Sequence, residues 1–479
     1  MTLRPWLLAL GGLLAIGPVA PAQAPPLPDS RPDLGPPVIE LTLSPSPAPV
    51  PAFRNRLFPL NSERTPGDAA PVYLRLGAET LDEAMRQIRE KPANWLKLSL
   101  DVFPSGEARA FLSHWSKRLR QIHFGARRAT CDWAYTLPEE RERAIEILLP
   151  DAQEMRSWGA LVALKARVEI AEKNYDEAAR TIETGLAFSR HVGEAPFVIS
   201  KLVASSIAAR ILERVDEFVG QPDAPNLYWA LTALPRPLID FRHGFETEQK
   251  IAEWILPELD DLDRPRTEGE WAAQLARLHA RMVRLWEPIF TGETPKSSRL
   301  EPDLAKFKAS LAPEARAALK ASRGHLDGLA EDEIPVRYLA SRYREIRDER
   351  FKAFYLPYAD AASLHAEANA KLGLLRDGPM AFFVVLGEGM VGAHAAQARA
   401  DRKVAALRAI EAIRLQAAAD GGRLPESLDK VSVVPVPVDP MYNRPFDYRR
   451  EGDTAFLAAA PYTPPHPGTA LEYRLKIRK

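Results

Sequence analysis

From about Val72 to Arg376, apolar positions recur at the three- and four-residue spacing of amphipathic helices. Between Lys201 and Phe218 they fall at Val203, Ile207, Ile211, Val215 and Phe218, and Leu81–Ile88 and Gly106–Ile122 begin similar segments. Pro138, Pro150, Pro196, Pro222, Pro235, Pro237 and Pro257 stand near the expected ends, because proline removes an amide donor and clashes with the preceding turn. A second regime follows. Val404, Leu407, Ile410, Ile413 and Leu415 mark the stripe of one long helix, closed by Asp420-Gly421-Gly422. The period then shortens to two: Phe446–Arg449 and Thr454–Ala458 predict strands around a Glu451-Gly452-Asp453 turn, and Leu471–Ile477 a third. Val431–Val438 alternates with proline, which suits an edge or irregular strand. The predicted fold class is mainly α: a helical array (a repeat-like stack) over residues 71–376, then a small α+β domain over 377–479, with a long helix packed on a short antiparallel sheet.

The N-terminal pattern is different again. Arg4, an uncharged apolar run from Trp6 to Ile16, and small residues at Ala20, Ala22 and Ala24 predict a secretory signal peptide over residues 1–22, cut after Ala22 or Ala24. Residues 23–70 contain Pro25-Pro26, Pro36-Pro37 and Ser44-Pro45-Ser46-Pro47-Ala48-Pro49, which predicts a disordered linker. The expected destination is periplasmic or extracellular. Cys131 is the sole cysteine, so no intrachain disulfide forms, and Ala129, Trp133 and Tyr135 around it suggest a small buried filler.

Two segments carry resemblances. Ala160–Glu172, the turn Asn174-Tyr175-Asp176-Glu177-Ala178 and Ala179–Arg190 resemble one tetratricopeptide unit, with Ala166, Ala178 and Ile182 at its small and apolar contacts. Glu169 and Gly185 depart from that pattern, and no second copy of comparable clarity follows. Gly422-Arg423-Leu424-Pro425, Asp439-Pro440 and Pro445-Phe446-Asp447-Tyr448 resemble the globular head of type II secretion pseudopilins, over roughly Arg402–Ala459. That resemblance implies a head-like domain. The long helix is internal and lacks a processing site, so it does not imply assembly into a pilus.

Charge and motif content narrow the chemistry. Lys+Arg and Asp+Glu both number 64, which removes any global field directed at nucleic acid or acidic polymers. Gly387-Glu388-Gly389-Met390-Val391-Gly392 has dinucleotide-loop spacing, but no second strand ending in an acidic residue follows it, so a close-packed entry into the long helix is expected instead. The nine histidines include no i,i+3 or i,i+4 pair, and the acidic run from Glu258 to Asp263 lacks the glycine and distal glutamate of a calcium loop. Thr291–Lys296 reads as an exposed loop and Glu301–Glu333 as a charged surface excursion. Catalytic, cofactor and metal residues are therefore expected to be none. His243 beside Glu246 and Glu248 is the one acid–base neighbourhood to inspect. Tyr228, Trp229 and Arg236, in an aromatic and proline-rich stretch, are the candidate protein-binding residues. The expected function is an exported protein-interaction or scaffold protein whose partner is another envelope or extracellular protein, with no nucleic acid and membrane contact only through the export signal. The alternative is an envelope polymer hydrolase with carboxylates in a helical cleft.

Overall fold

The computed structural model describes residues 38–78, 82–136, 150–289, 300–323, 326–376, 378–459 and 471–478. The predicted signal peptide, the linker up to residue 37 and the loop Thr291–Lys296 lie outside them. In chain order, β1 (Val38–Leu43), β2 (Thr65–Asp68), α1 (Ala70–Ala78), α2 (Asp82–Trp95), α3 (Ser105–His114), α4 (Ser116–Ala126) and β3 (Arg128–Thr130) come first. They are followed by α5 (Pro150–Ala171), α6 (Tyr175–Val192), α7 (Val198–Val219) and the short α8 (Tyr228–Thr232). Then come α9 (Arg242–Ile255), α10 (Glu268–Ile289), α11 (Leu304–Arg323), α12 (Glu333–Phe351), α13 (Tyr358–Gly373) and α14 (Ala381–Leu386). The chain ends with α15 (Met390–Ala419), β4 (Asp447–Glu451), β5 (Thr454–Ala459) and β6 (Leu471–Ile477). The protein is thus mainly helical with a small C-terminal sheet, as the periodicity predicts.

Residues 242–394 form one compact unit; residues 38–134, 150–241 and 395–478 form the other. This division differs from the predicted boundary between 376 and 377, because the helical period alone does not say which stripes close on each other. In the first unit, Trp271, Leu278, Met282, Leu339 and Phe382 share one core. The predicted surface excursion belongs to it: α11 buries Phe307, Leu311, Ala315 and Leu319, a four-residue spacing that lays one face inward. Ala381–Leu386, strand-like in sequence, is helical.

In the second unit, α5, α6 and α7 form a three-helix bundle whose closest approaches are set by glycine. A Cβ on Gly159 would lie 2.7 Å from Ile207, and one on Gly185 would lie 2.5 Å from Ile211. The turn between α5 and α6 is covered as expected, with the Tyr175 hydroxyl donating to the Pro222 carbonyl at 2.7 Å and its ring edge-on to Phe218.

Residues 38–70 correct the linker expectation. Val38–Leu43 contains no proline and alternates, and it pairs in parallel with β6 from Val38↔Glu472 to Leu43↔Ile477. The sheet order is β1-β6-β5-β4, and the β4–β5 and β5–β6 pairs are antiparallel. Leu41 and Leu43 point inward together with Ala455, Leu457, Tyr473 and Leu475. Residues 431–438 form no strand; Pro435 and Pro437 leave too few donors for a ladder.

Helix α15 is enclosed, and its charges are satisfied inside. Arg402 grips Asp439 through two nitrogens, at 3.0 and 2.8 Å, with both side chains 2% exposed. Lys403 pairs with Asp216 of α7 at 2.5 Å, while the Tyr473 hydroxyl of β6 donates to the other Asp216 oxygen at 2.9 Å. Arg414 holds both Glu411 oxygens at 3.0 Å and donates to the carbonyls of Ser44 and Ala224. Burial pushes the Glu411 carboxyl up, and Arg414 opposes that shift.

Asp439, which precedes Pro440, also accepts from the Met441 amide. Asp439→Ala leaves Arg402 buried without its carboxylate and is expected to cost about 3–5 kcal/mol in urea unfolding. Replacing both partners (Arg402→Met with Asp439→Leu) should recover much of that loss. Equal losses in the single and double variants would assign the cost to the turn around Asp439 rather than to the ion pair.

Candidate functional site

The outer face of α6 is where side chains from three parts of the second unit converge. The segment from Pro51 to Pro66 runs along this helix. Arg54 bonds Asp176 at 3.1 Å, Arg56 acts on Glu183, and Arg64 acts on Glu194 beyond the end of the helix. Leu57 is buried beneath this segment, which fixes its path. Arg127, leaving α4, approaches the same Glu183 at 3.7 Å. Glu183 is thus shared by the segment and the α4–β3 junction; burial raises its pKa while the arginines lower it.

In these elements arginines lie over phenylalanine rings: Arg56 over Phe53 at 5.6 Å, Arg64 over Phe58 at 5.2 Å and Arg128 over Phe124 at 4.3 Å. Phe53 is 47% exposed and Phe124 49% exposed, so both rings remain in water.

Between the segment, β3 and the end of α6 opens a cleft of about 300 Å³, with Phe58, Arg64, Cys131, Asp132, Arg190 and Glu194 among its lining residues. His191 also borders it, but its ring is committed. Nδ1 accepts from the Tyr73 hydroxyl at 2.9 Å, and a backbone hydrogen bond to Arg128 engages the imidazole as well. Burial and then the nearby Arg64 hold its pKa down to about 4, so the ring is neutral and already hydrogen-bonded. Burial drives the Cys131 thiol up, and Asp68, Glu194 and Asp132 add to the shift. A thiol so placed is a packed side chain and a poor nucleophile, as its sequence neighbours suggest. Lys201 caps the Gly193 carbonyl at the end of α6, and burial lowers its pKa to about 8. The chain matches no protein-family model, no curated protein and no solved structure.

The residues singled out in the sequence lie elsewhere. Tyr228 is 1% exposed; its hydroxyl donates to Pro435 at 2.5 Å and its ring packs with Ala412, Leu415, Val431 and Val434. It cannot present a surface, because the aromatic and proline-rich stretch is the socket that receives α15. Trp229 is half-buried against the same cluster, and Arg236 alone is exposed. His243 and Glu246 are exposed on α9 and Glu248 is half-buried. Glu258 of the acidic run is buried and paired with Arg281 at 3.0 Å. Among the described residues no group of three His, Cys, Asp or Glu could hold a metal ion.

At the first glycine of the triplet, a side chain makes the close approach. Arg350 donates to the carbonyls of Val384 at 2.6 Å and Gly387 at 3.1 Å, and its side chain fills the space that a Cβ at position 387 would need. His365 and His394, 29 residues apart, meet at 3.0 Å between Nε2 and Nδ1, with Phe354 ringed against both. Only the tertiary fold brings them together, so spacing rules for a single helix could not find the pair.

His191, His365 and His394 are each held down to about 4, first by burial, against 6.5 for a free imidazole. Above 6.5 these rings are neutral in both states and their contribution to stability is complete. As pH falls from 6.5 toward 4 the unfolded chain takes up protons that the folded chain refuses, and stability is lost. Asp401, raised to about 6 by burial, acts in the opposite sense over the lower part of that window. His365→Gln removes one titrating ring and should flatten the pH dependence of unfolding between 6.5 and 4 by up to roughly 3 kcal/mol. Urea titrations at several pH values measure this, and an unchanged slope would mean that His365 protonates within the fold.

Proposed function

We propose that this chain is an exported protein-interaction protein, and that the face along α6 binds another envelope or extracellular protein. The observation that carries the reading is that Phe53 and Phe124 are both about half-exposed and each lies under an arginine. Aromatic and arginine side chains dominate interface hot spots, because they desolvate large areas at small entropic cost and keep a directional polar end. The buried polar groups beside this face support binding over catalysis. The His191 ring is hydrogen-bonded on both sides, and burial holds the Cys131 thiol protonated. Export rests on the N-terminal sequence pattern alone, and the head-like C-terminal domain would serve to anchor the first strand and the bundle.

One observation favours the hydrolase alternative: Asp132 and Glu194 line the same cleft. Both are exposed, however, and a general-acid carboxyl needs a desolvated site to keep its proton at neutral pH.

Immobilised protein is expected to capture a reproducible partner from native envelope extract. Phe53→Ala with Phe124→Ala should weaken that capture by about thirtyfold, the effect of losing roughly 2 kcal/mol of hot-spot contact. No partner in any extract, together with turnover of wall polymer, would overturn the reading in favour of the hydrolase.

A further inference from the structure

The cleft beneath that face has a property that packing does not require. Arg64, Arg190, Asp132 and Glu194 all line it, and among the described residues none of the four makes an ion pair within 4.0 Å. Their other contacts are modest. Arg190 donates to the Pro237 and Leu238 carbonyls, Asp132 accepts the Ala134 amide of its own turn, and Arg64 lies over Phe58. Elsewhere in this unit charged side chains close on each other, as Arg402 does with Asp439 and Arg414 with Glu411.

The lining thus carries both signs of charge, Arg64 and Arg190 against Asp132 and Glu194, and Phe58, Ala126 and Ala187 add apolar wall. A volume of about 300 Å³ is at the small end of ligand sites and excludes a folded partner's side-chain cluster.

We propose that this cleft binds a small zwitterion of the amino-acid or dipeptide class, its carboxylate toward Arg64 and Arg190 and its ammonium toward Asp132 and Glu194. Planar guanidinium groups suit a carboxylate, and one stacked on a ring is already oriented. The ammonium is recognised by acceptors with unused lone pairs, and short side chains rest on the apolar wall. This site is separable from the protein-binding reading: Phe53 and Phe124 are not among its lining residues, so their alanine variants should leave it intact.

The test is calorimetric titration of the full chain with L-alanyl-L-alanine, its N-acetyl form and its C-terminal amide. Saturable binding of the free dipeptide is expected, with each capped form about tenfold weaker or worse, as for loss of one charge-assisted contact. Arg64→Gln should weaken the free dipeptide and remove the preference over the amide. Asp132→Asn should remove the preference over the N-acetyl form. Absence of saturable heat at millimolar dipeptide would overturn the proposal, and so would equal binding of the capped forms. The capped-ligand comparison uses the unmodified protein, so it decides the matter even if a variant fails to fold.

Discussion

The second unit depends on one constraint: nearly every position of α15 from 402 to 417 is buried, so the charges there find partners inside the protein. Leaving a charge unpaired in such a site costs several kcal/mol, and the helix avoids this by reaching out in a different direction at each turn. Arg402 takes Asp439, Lys403 takes Asp216 and Tyr473, and Arg408 donates to Thr232 at 3.0 Å. Glu411 and Arg414 take each other, and Arg414 adds the Ser44 and Ala224 carbonyls. Gln416 receives the Ser432 amide at 2.9 Å. Apolar packing is tolerant of small rotations, whereas these bonds are directional. They fix both the rotation and the axial position of the helix, and with it the bundle, the sheet and the first strand.

The candidate site inherits its geometry from that arrangement. Arg414 fixes the chain at Ser44 directly after β1, and its own carbonyl accepts the Ser46 amide at 3.3 Å. At the other end, β2 pairs with β3 from Thr65↔Arg128 to Asp68↔Thr130. The segment between these two anchors has little freedom left, and Leu57 and Arg54 hold it down on α6. The ring of Phe53 therefore stays exposed while the backbone beneath it is held in place, and Phe124 is exposed on α4. A surface of this kind loses little entropy on binding, which is the property a recognition face needs.

How much of this was legible in the sequence follows from the range of each interaction. Local features were readable: the Tyr175 turn, the helix stop at Gly421-Gly422, and the strands at 447–451 and 454–459 around Gly452, whose φ of +62° needs no side chain. Cys131 was readable as a filler from its apolar neighbours. The β1–β6 pairing was not, because Val38 and Glu472 are joined only in space and flanking prolines made 38–43 look like part of a spacer. Tyr228 misled for the opposite reason. An aromatic beside prolines has the same composition in a groove lip and in a core socket, and only the arrival of Leu415 and Val434 distinguishes them. The candidate cleft was invisible for both reasons, since its charges come from three separate segments.

The distribution of charge within the second unit links these points. Several buried charges there are matched to partners supplied by the chain itself, down to backbone carbonyls for Arg414 and for the nearly buried Lys201. Burial near the cleft likewise argues for structure: the imidazole of His191 and the thiol of Cys131 are both held neutral. The charges around the cleft follow a different rule. They remain at least partly in water and form no ion pair among the described residues, with Arg190 spending one nitrogen on the Pro237 and Leu238 carbonyls and Asp132 one oxygen on the Ala134 amide. The proposed recognition of a small zwitterion would draw on these partly solvated groups, and it would place the chemistry at the end of α6 instead of among the histidines of the interior.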